Sequence, residues 1–231
     1  MAQVIRPSGA AVLAQPQHET GGPHDHGHGD GHGEHPPTST GLNNVKILMW
    51  TFIASEVMLF GSLISAFLAY LGREIPGRET PTAEVFNIPY TSVSAFVLLL
   101  SSLTMVLALA ACQRGDQRGL RIWLVATALL GAIFIGGQYF EFTYFKLIDE
   151  LWLDTNFLGS TFFLLTGFHG AHVTVGVIWL LSLWMVSLRR GIPPQKSLLV
   201  EIAGLYWHFV DVVWIIIFTV VYLIPVSLGH H

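Results

Sequence analysis

Hydrophobic and polar positions divide this chain into two unlike parts. Residues 1–44 are polar, rich in Gly and Pro, and carry no apolar periodicity; beyond them the apolar positions gather into five long blocks, at about 45–71, 90–111, 119–145, 157–187 and 197–224. Each block can cross a hydrocarbon core about 30 Å thick at ~1.5 Å of rise per helical residue. Hydrocarbon offers the backbone no hydrogen-bond partner, so segments that cross it must satisfy their own N–H and C=O groups, which helices do. The predicted fold is all-α: a polytopic membrane bundle of five transmembrane helices over 45–224, preceded by a disordered His-rich tail over 1–44 and followed by a short tail over 225–231. Pro89, Pro193 and Pro194 fall before predicted helices and Pro225 just after one, where a missing N–H costs little.

Composition agrees. Apolar residues make up 52% of the 231 and charged residues 11%, against about 25% charged in a soluble domain; mean hydropathy is +0.56. The chain reads as an integral membrane protein. Its one cysteine, Cys112, excludes an internal disulfide and a multi-cysteine metal site. A net charge of −4 with no basic block argues against nucleic acid. No nucleophile-elbow, Walker or dinucleotide motif is present, so no soluble substrate is expected to bind directly.

The loops predict an orientation. Arg6, Lys46, Arg114, Arg118, Arg121, Arg189, Arg190 and Lys196 fall on the tail side, eight of the eleven basic residues; only Arg73, Arg78 and Lys146 fall on the other. Basic loops stay on the cytoplasmic side, which puts the N-terminus inside and the C-terminus outside. Trp50, Trp123, Trp152 and Tyr222 are placed near the expected interfaces as an aromatic belt. In the tail, His24, His26, His28, His32 and His35 alternate with Gly, Asp and Glu. Such a run can hold a transition metal loosely, but a solvated tail that cannot recover its ordering entropy is the simpler reading.

Four of the five blocks carry ionisable or strongly polar groups at depth: Glu56 in the first, Gln138 and Glu141 in the third, His169 and His172 in the fourth, His208 and Asp211 in the fifth. A charge at the bilayer centre costs about 2.5–3.5 kcal/mol even on the mild insertion scale, so these groups should face the bundle, pair or stay neutral. His169 with His172, and His208 with Asp211, are three apart and predicted to share a helical face. They read either as clamps between helices or as a proton-carrying or redox site. Three intramembrane histidines are few for a haem or catalytic metal centre, so no redox centre, catalytic residue or membrane metal site is expected. Small residues at Gly61 and Ser65, and at Gly136, Gly167, Gly170 and Gly176, are predicted to let helices approach closely.

Several motifs occur in a fixed order: Ser55-Glu56-Val57-Met58-Leu59-Phe60; residues 87–92 opening the second block; Gly137-Gln138-Tyr139-Phe140-Glu141; Gly159-Ser160-Thr161-Phe162-Phe163 followed by Thr166-Gly167-Phe168-His169-Gly170-Ala171-His172-Val173; and Tyr206-Trp207-His208-Phe209-Val210-Asp211-Val212-Val213-Trp214. In this order they resemble subunit III of the haem-copper cytochrome c and quinol oxidases, over about residues 45–224.

The resemblance implies a non-redox accessory subunit of a proton-pumping terminal oxidase in the aerobic electron transport chain of a bacterial plasma membrane. Haem and copper would belong to subunits I and II, its partners. This chain would bind no cofactor beyond structural phospholipid. Glu56 matches the family's carbodiimide-reactive carboxylate, His169 and His172 its Phe-His-Gly-x-His signature, and His208 and Asp211 its His-Phe-Val-Asp signature. With Glu141, these residues would brace the helices, shape a lipid cleft and support proton uptake and the lifetime of subunit I. Longer members have seven helices; the two that normally wall one side of the cleft are missing here. An accessory subunit of a quinol oxidase or a nitric oxide reductase is the alternative, and a small cation transporter a more distant one.

Overall fold

The structure, a computed structural model, describes residues 43–70, 88–147 and 157–223. It contains five long helices: α1 (Asn44–Tyr70), α2 (Ile88–Gln113), α3 (Gln117–Leu147), α4 (Phe157–Arg190) and α5 (Leu198–Phe218). All five are long and apolar enough to cross a membrane, as the block pattern predicts. A single 3₁₀ turn, Pro194–Lys196, leads into α5, and a π-helical turn, Thr219–Leu223, prolongs it. The tail histidines His24, His26, His28, His32 and His35 lie outside the described residues, as do Arg73, Arg78, Trp152, Pro225 and the tail over 225–231.

Local chemistry sets the helix ends. The Asn43 side-chain Oδ1 accepts from the Val45 N–H at 2.9 Å, capping α1. At the far end of α2 the chain turns back within three residues. Gly115 takes φ +78°, its N–H bonding to the Cys112 carbonyl and the Asp116 N–H to that of Ala111, both at 3.0 Å. This closing pattern needs a left-handed residue, which glycine supplies without strain. Asp116 then caps α3, its Oδ1 accepting from the N–H groups of Arg118 (3.1 Å) and Gly119 (3.0 Å). Gly191, φ +69°, ends α4 in the same conformation. These tight connections force α3 to run back along α2, and α5 along α4.

α5 is the hub. It packs against α1, α2 and α4, and half of its span is buried within the chain, compared with 17% for α1. Among the described residues α1 packs mainly against α4 and α5, burying a narrow stripe of Met49, Ile53, Phe60 and Phe67 at near-heptad spacing. The remaining faces of α1 are apolar and exposed, among them Trp50, Val57 and Met58.

The closest packing centres on Trp207, whose indole wedges between α3 and α4. A Cβ added at Gly131 would stand 2.5 Å from Trp207 Cη2, and one at Gly176 would stand 2.8 Å from its Cζ3. The indole Nε1–H donates to Ser101 Oγ on α2 at 2.9 Å. One side chain thus touches three other helices. The small-residue prediction holds for Gly170 and Gly176 and misses Gly131; it fails for Gly61, Gly136 and Gly167, where an added Cβ would meet nothing within 4 Å. At those positions no neighbouring helix among the described residues comes that near.

The tail-side ends are tied separately. The Gln117 amide donates through Nε2 to the Ile192 carbonyl (2.6 Å) and accepts through Oε1 from its N–H (2.9 Å). Arg121 donates to the Ser187 carbonyl at 2.7 Å. Lys46 pairs with Glu201 at 2.6 Å, joining the starts of α1 and α5.

Candidate functional site: polar braces between the helices

The intramembrane polar groups fall at separate points along the bundle rather than converging on one. The first lies between α1, α4 and α5. His172 Nδ1 stands 2.8 Å from the Phe168 carbonyl, which can only accept, so Nδ1 carries a proton. His172 Nε2 meets Glu56 Oε2 at 3.1 Å. With Nδ1 committed, this contact holds one proton: on Nε2 as an ion pair, or on the carboxyl with both groups neutral. Either state satisfies both atoms without net charge, as a low-dielectric setting requires. Tyr206 of α5 donates its hydroxyl to the His172 carbonyl at 3.0 Å. Beside the pair, an open groove of about 510 Å³ runs along the bundle surface, lined by Met49, Phe52, Glu56, Ala171, His172, Val175, Trp179 and Tyr206.

A second point joins α2 to α5. Ser102 Oγ lies 2.6 Å from His208 Nδ1 and also interacts with the Asp211 carboxyl. Two residues further along α2, the hydroxyls of Thr104 and Thr127 meet at 2.8 Å, linking α2 to α3.

The third point gathers α2, α3 and the end of α5. Glu141, buried, accepts at Oε1 from Thr91 Oγ1 (3.0 Å) and from the Tyr222 hydroxyl (3.2 Å). One turn earlier, Gln138 Nε2 donates to the Thr166 carbonyl of α4 at 2.8 Å, and Tyr90 donates to the Gly137 carbonyl at 3.2 Å.

His169 stands apart. It is wholly buried in an aromatic cage, stacked on Trp214 (ring centroids 4.9 Å, 27°) and edge-on to Phe134 (5.8 Å, 89°). Phe60 lies edge-on to both His169 and His172.

The ionisable and strongly polar residues selected from the sequence, Glu56, Gln138, Glu141, His169, His172, His208 and Asp211, are all buried or half-buried in the bundle, but two expected pairings are corrected. His169 and His172 share Phe60 of α1 as a neighbour but not a polar partner: a three-residue step turns the ring about 60° short of a full circle, so His172 bonds Glu56 of α1 while His169 stacks on Trp214 of α5. His208 and Asp211 do not bond to each other; each turns to Ser102 of α2. Tyr222 is also not a belt residue at the surface. It is 1% exposed and donates to Glu141, because the π-helical turn prolongs α5 alongside α3. Ser102, Thr91, Tyr206 and Gln117 were not singled out. Ser and Thr in these helices mostly bond their own preceding turn, as Thr51 and Ser55 do, so composition does not mark those that reach across.

Among the described residues no three His, Cys, Asp or Glu side chains come together as a metal would require. The arrangement ties helices together, with one open groove at a proton-sharing pair.

Such a bundle defines a polytopic helical membrane protein with its ionisable groups used between helices. Comparison with known proteins gives the family. The profile of "Cytochrome c oxidase subunit III" matches residues 27–226. The chain is 39% identical over 186 residues to the quinol oxidase subunit 3 of Bacillus spizizenii, covering 80% of this chain and 89% of the relative. It is 38% identical over 174 residues to the cytochrome c oxidase subunit 3 of Bacillus subtilis, covering 75% and 83%. A cytochrome c oxidase subunit 3 of Alkalihalophilus pseudofirmus is 36% identical over 194 residues, covering 84% and 93%. The chain belongs to the cytochrome c oxidase subunit III family.

Proposed function

We propose that this chain is the non-redox third subunit of a proton-pumping haem-copper terminal oxidase, seated beside subunits I and II in a bacterial plasma membrane, its N-terminus cytoplasmic and its C-terminus outside. Haem and copper reside in the partners. The chain contributes helix surface, bound phospholipid and support for proton uptake and for the working lifetime of subunit I. The observation that carries this reading is the spread of the buried acids and imidazoles: each contacts another helix or an aromatic cage, and among the described residues no three of them come together as a metal centre would need. Glu56, Glu141, His172, His208 and Asp211 act as braces, His169 fills the aromatic cage between them, and the groove beside Glu56 and His172 takes an acyl chain. Its walls are mostly apolar and it opens on the side where α1 leaves the bundle exposed. At this depth a lipid tail, not a charged headgroup, is the compatible occupant.

Ala171, exposed on the groove wall, gives the test. Ala171→Phe fills the groove without touching the Glu56–His172 contact. The expected result is an oxidase that assembles with its haems intact, co-purifies with less phospholipid per complex and inactivates sooner during turnover. Unchanged phospholipid content and lifetime would contradict the lipid role.

A second donor is equally well supported, since the relatives include subunits named for quinol oxidases as well as cytochrome c oxidases. A copper-thiolate centre in the neighbouring subunit marks the cytochrome c enzyme; its absence there marks the quinol enzyme.

A further inference from the structure

The polar atoms that the braces leave over are grouped. Among the described residues, five buried side-chain atoms have no hydrogen-bond partner: Gln138 Oε1, both ring nitrogens of His169, Asp211 Oδ1 and Trp214 Nε1. All four residues are more than nine-tenths buried. They lie around one junction of α3, α4 and α5. His169 and Trp214 stack at 4.9 Å, and Asp211 precedes Trp214 by one turn of α5. Phe134, perpendicular to both rings at 5.8 and 4.8 Å, sits one turn before Gln138 on α3. Gln138 Oε1 in turn points at Gly170, next to His169, where an added Cβ would lie only 2.7 Å away.

Buried polar groups in folded proteins find partners, and ordered water commonly supplies them where several converge. The chemistry here selects water over other small ligands. A neutral imidazole presents one donor and one acceptor, the indole one donor, and the amide and carboxyl oxygens acceptors. Only a ligand that both donates and accepts satisfies that mixture. An anion would face the Asp211 carboxyl. A metal ion would find one imidazole and one carboxylate, too few for a site, and would leave the indole N–H unanswered. Trp214 stacks on one face of His169, while the ring nitrogens lie at its edge.

We propose that the α3–α4–α5 junction binds ordered internal water, with His169 as its hub, bridging to Asp211 and Trp214 on one side and to Gln138 on the other. Asp211 also neighbours Ser102, which meets His208 Nδ1 at 2.6 Å. His169 is then a water ligand rather than a helix-to-helix clamp, a role distinct from that of His172.

The test is a cryo-electron-microscopy map of the assembled oxidase at a resolution that shows ordered water. The expected result is a solvent peak within hydrogen-bond distance of a His169 ring nitrogen and of at least one of Asp211 Oδ1, Trp214 Nε1 and Gln138 Oε1. A map in which His169 has no such peak, or in which these side chains bond directly to each other, overturns the proposal. His169→Phe gives a second reading, because it keeps the aromatic packing and removes only the nitrogens. With water bound, the melting midpoint of the complex falls and the peak disappears; with a dry junction, deleting two unpartnered nitrogens leaves the midpoint unchanged or raises it, which overturns the proposal. If that variant does not assemble, Trp214→Phe makes the same comparison with the histidine retained.

Discussion

Trp207→Ala is expected to destabilise the assembled subunit more than any other single truncation, by about 3–5 kcal/mol, the range for deleting a large buried aromatic side chain. In lipid the helices gain nothing from leaving water, and association rests on van der Waals packing and interhelical hydrogen bonds. Trp207 supplies both, filling the space over Gly131 and Gly176 and donating to Ser101. The complementary substitution is Gly131→Ala, which drives a methyl into the indole at 2.5 Å and should cost ~1–3 kcal/mol through overpacking. Because the indole is pinned by its bond to Ser101, it cannot swing aside. Trp207→Phe should partly rescue Gly131→Ala, the smaller ring leaving room for the methyl. The measurement is retention of the subunit in the complex on heating in detergent, across the two single variants and the double. Additive losses would show that the indole and Gly131 do not meet.

The second large effect is expected at the tail-side end. Gln117→Leu removes the one amide that satisfies both the N–H and the carbonyl of Ile192, a residue 1% exposed. Each buried polar group left without its partner costs about 1–3 kcal/mol. The loss should therefore rival that of the Trp207 truncation, although the substitution makes the surface more apolar. Gln117→Glu should fall between. Its carboxylate can still accept from the N–H but, when ionised, faces the Ile192 carbonyl with nothing to donate. Limited proteolysis in the α4–α5 connection reports the effect, with Gln117→Leu cleaved fastest. Equal cleavage of all three proteins would show that the amide does not hold this loop.

How far these features were legible in the sequence follows from the physics of each. The five spans were, because hydrocarbon forces each crossing segment to be both long and apolar. The buried ionisable residues were too, since an acid or imidazole in an apolar block is conspicuous. Their partners were not. A helix position fixes the direction a side chain leaves the axis, but which neighbour lies there depends on helix order and rotation about the axis. Hence His208 and Asp211 looked like a pair and instead share Ser102, while His172 found Glu56 from 116 residues away. Glycines show the same limit. Gly61 and Gly131 look alike in sequence, yet only Gly131 has an indole against it. Tyr222 was placed at an interface because aromatics collect there, but the π-helical turn carries it inward to Glu141.

The proton count at Glu56 and His172 connects the fold to the proposed role. A contact that shares one proton between the two side chains is neutral overall. It therefore holds α1 against α4 without demanding a fixed charge in the membrane. α1 has little else to hold it, being the least buried of the five helices.

The central claim is that this chain sustains an oxidase whose redox chemistry lies elsewhere. Its most direct test is the turnover course of the purified oxidase with and without this subunit. Removing the chain should leave the haem and copper content and the initial rate of oxygen reduction intact, while the enzyme inactivates after fewer turnovers. Loss of haem or copper in proportion to the chain removed, or an unchanged working lifetime without it, would contradict the account.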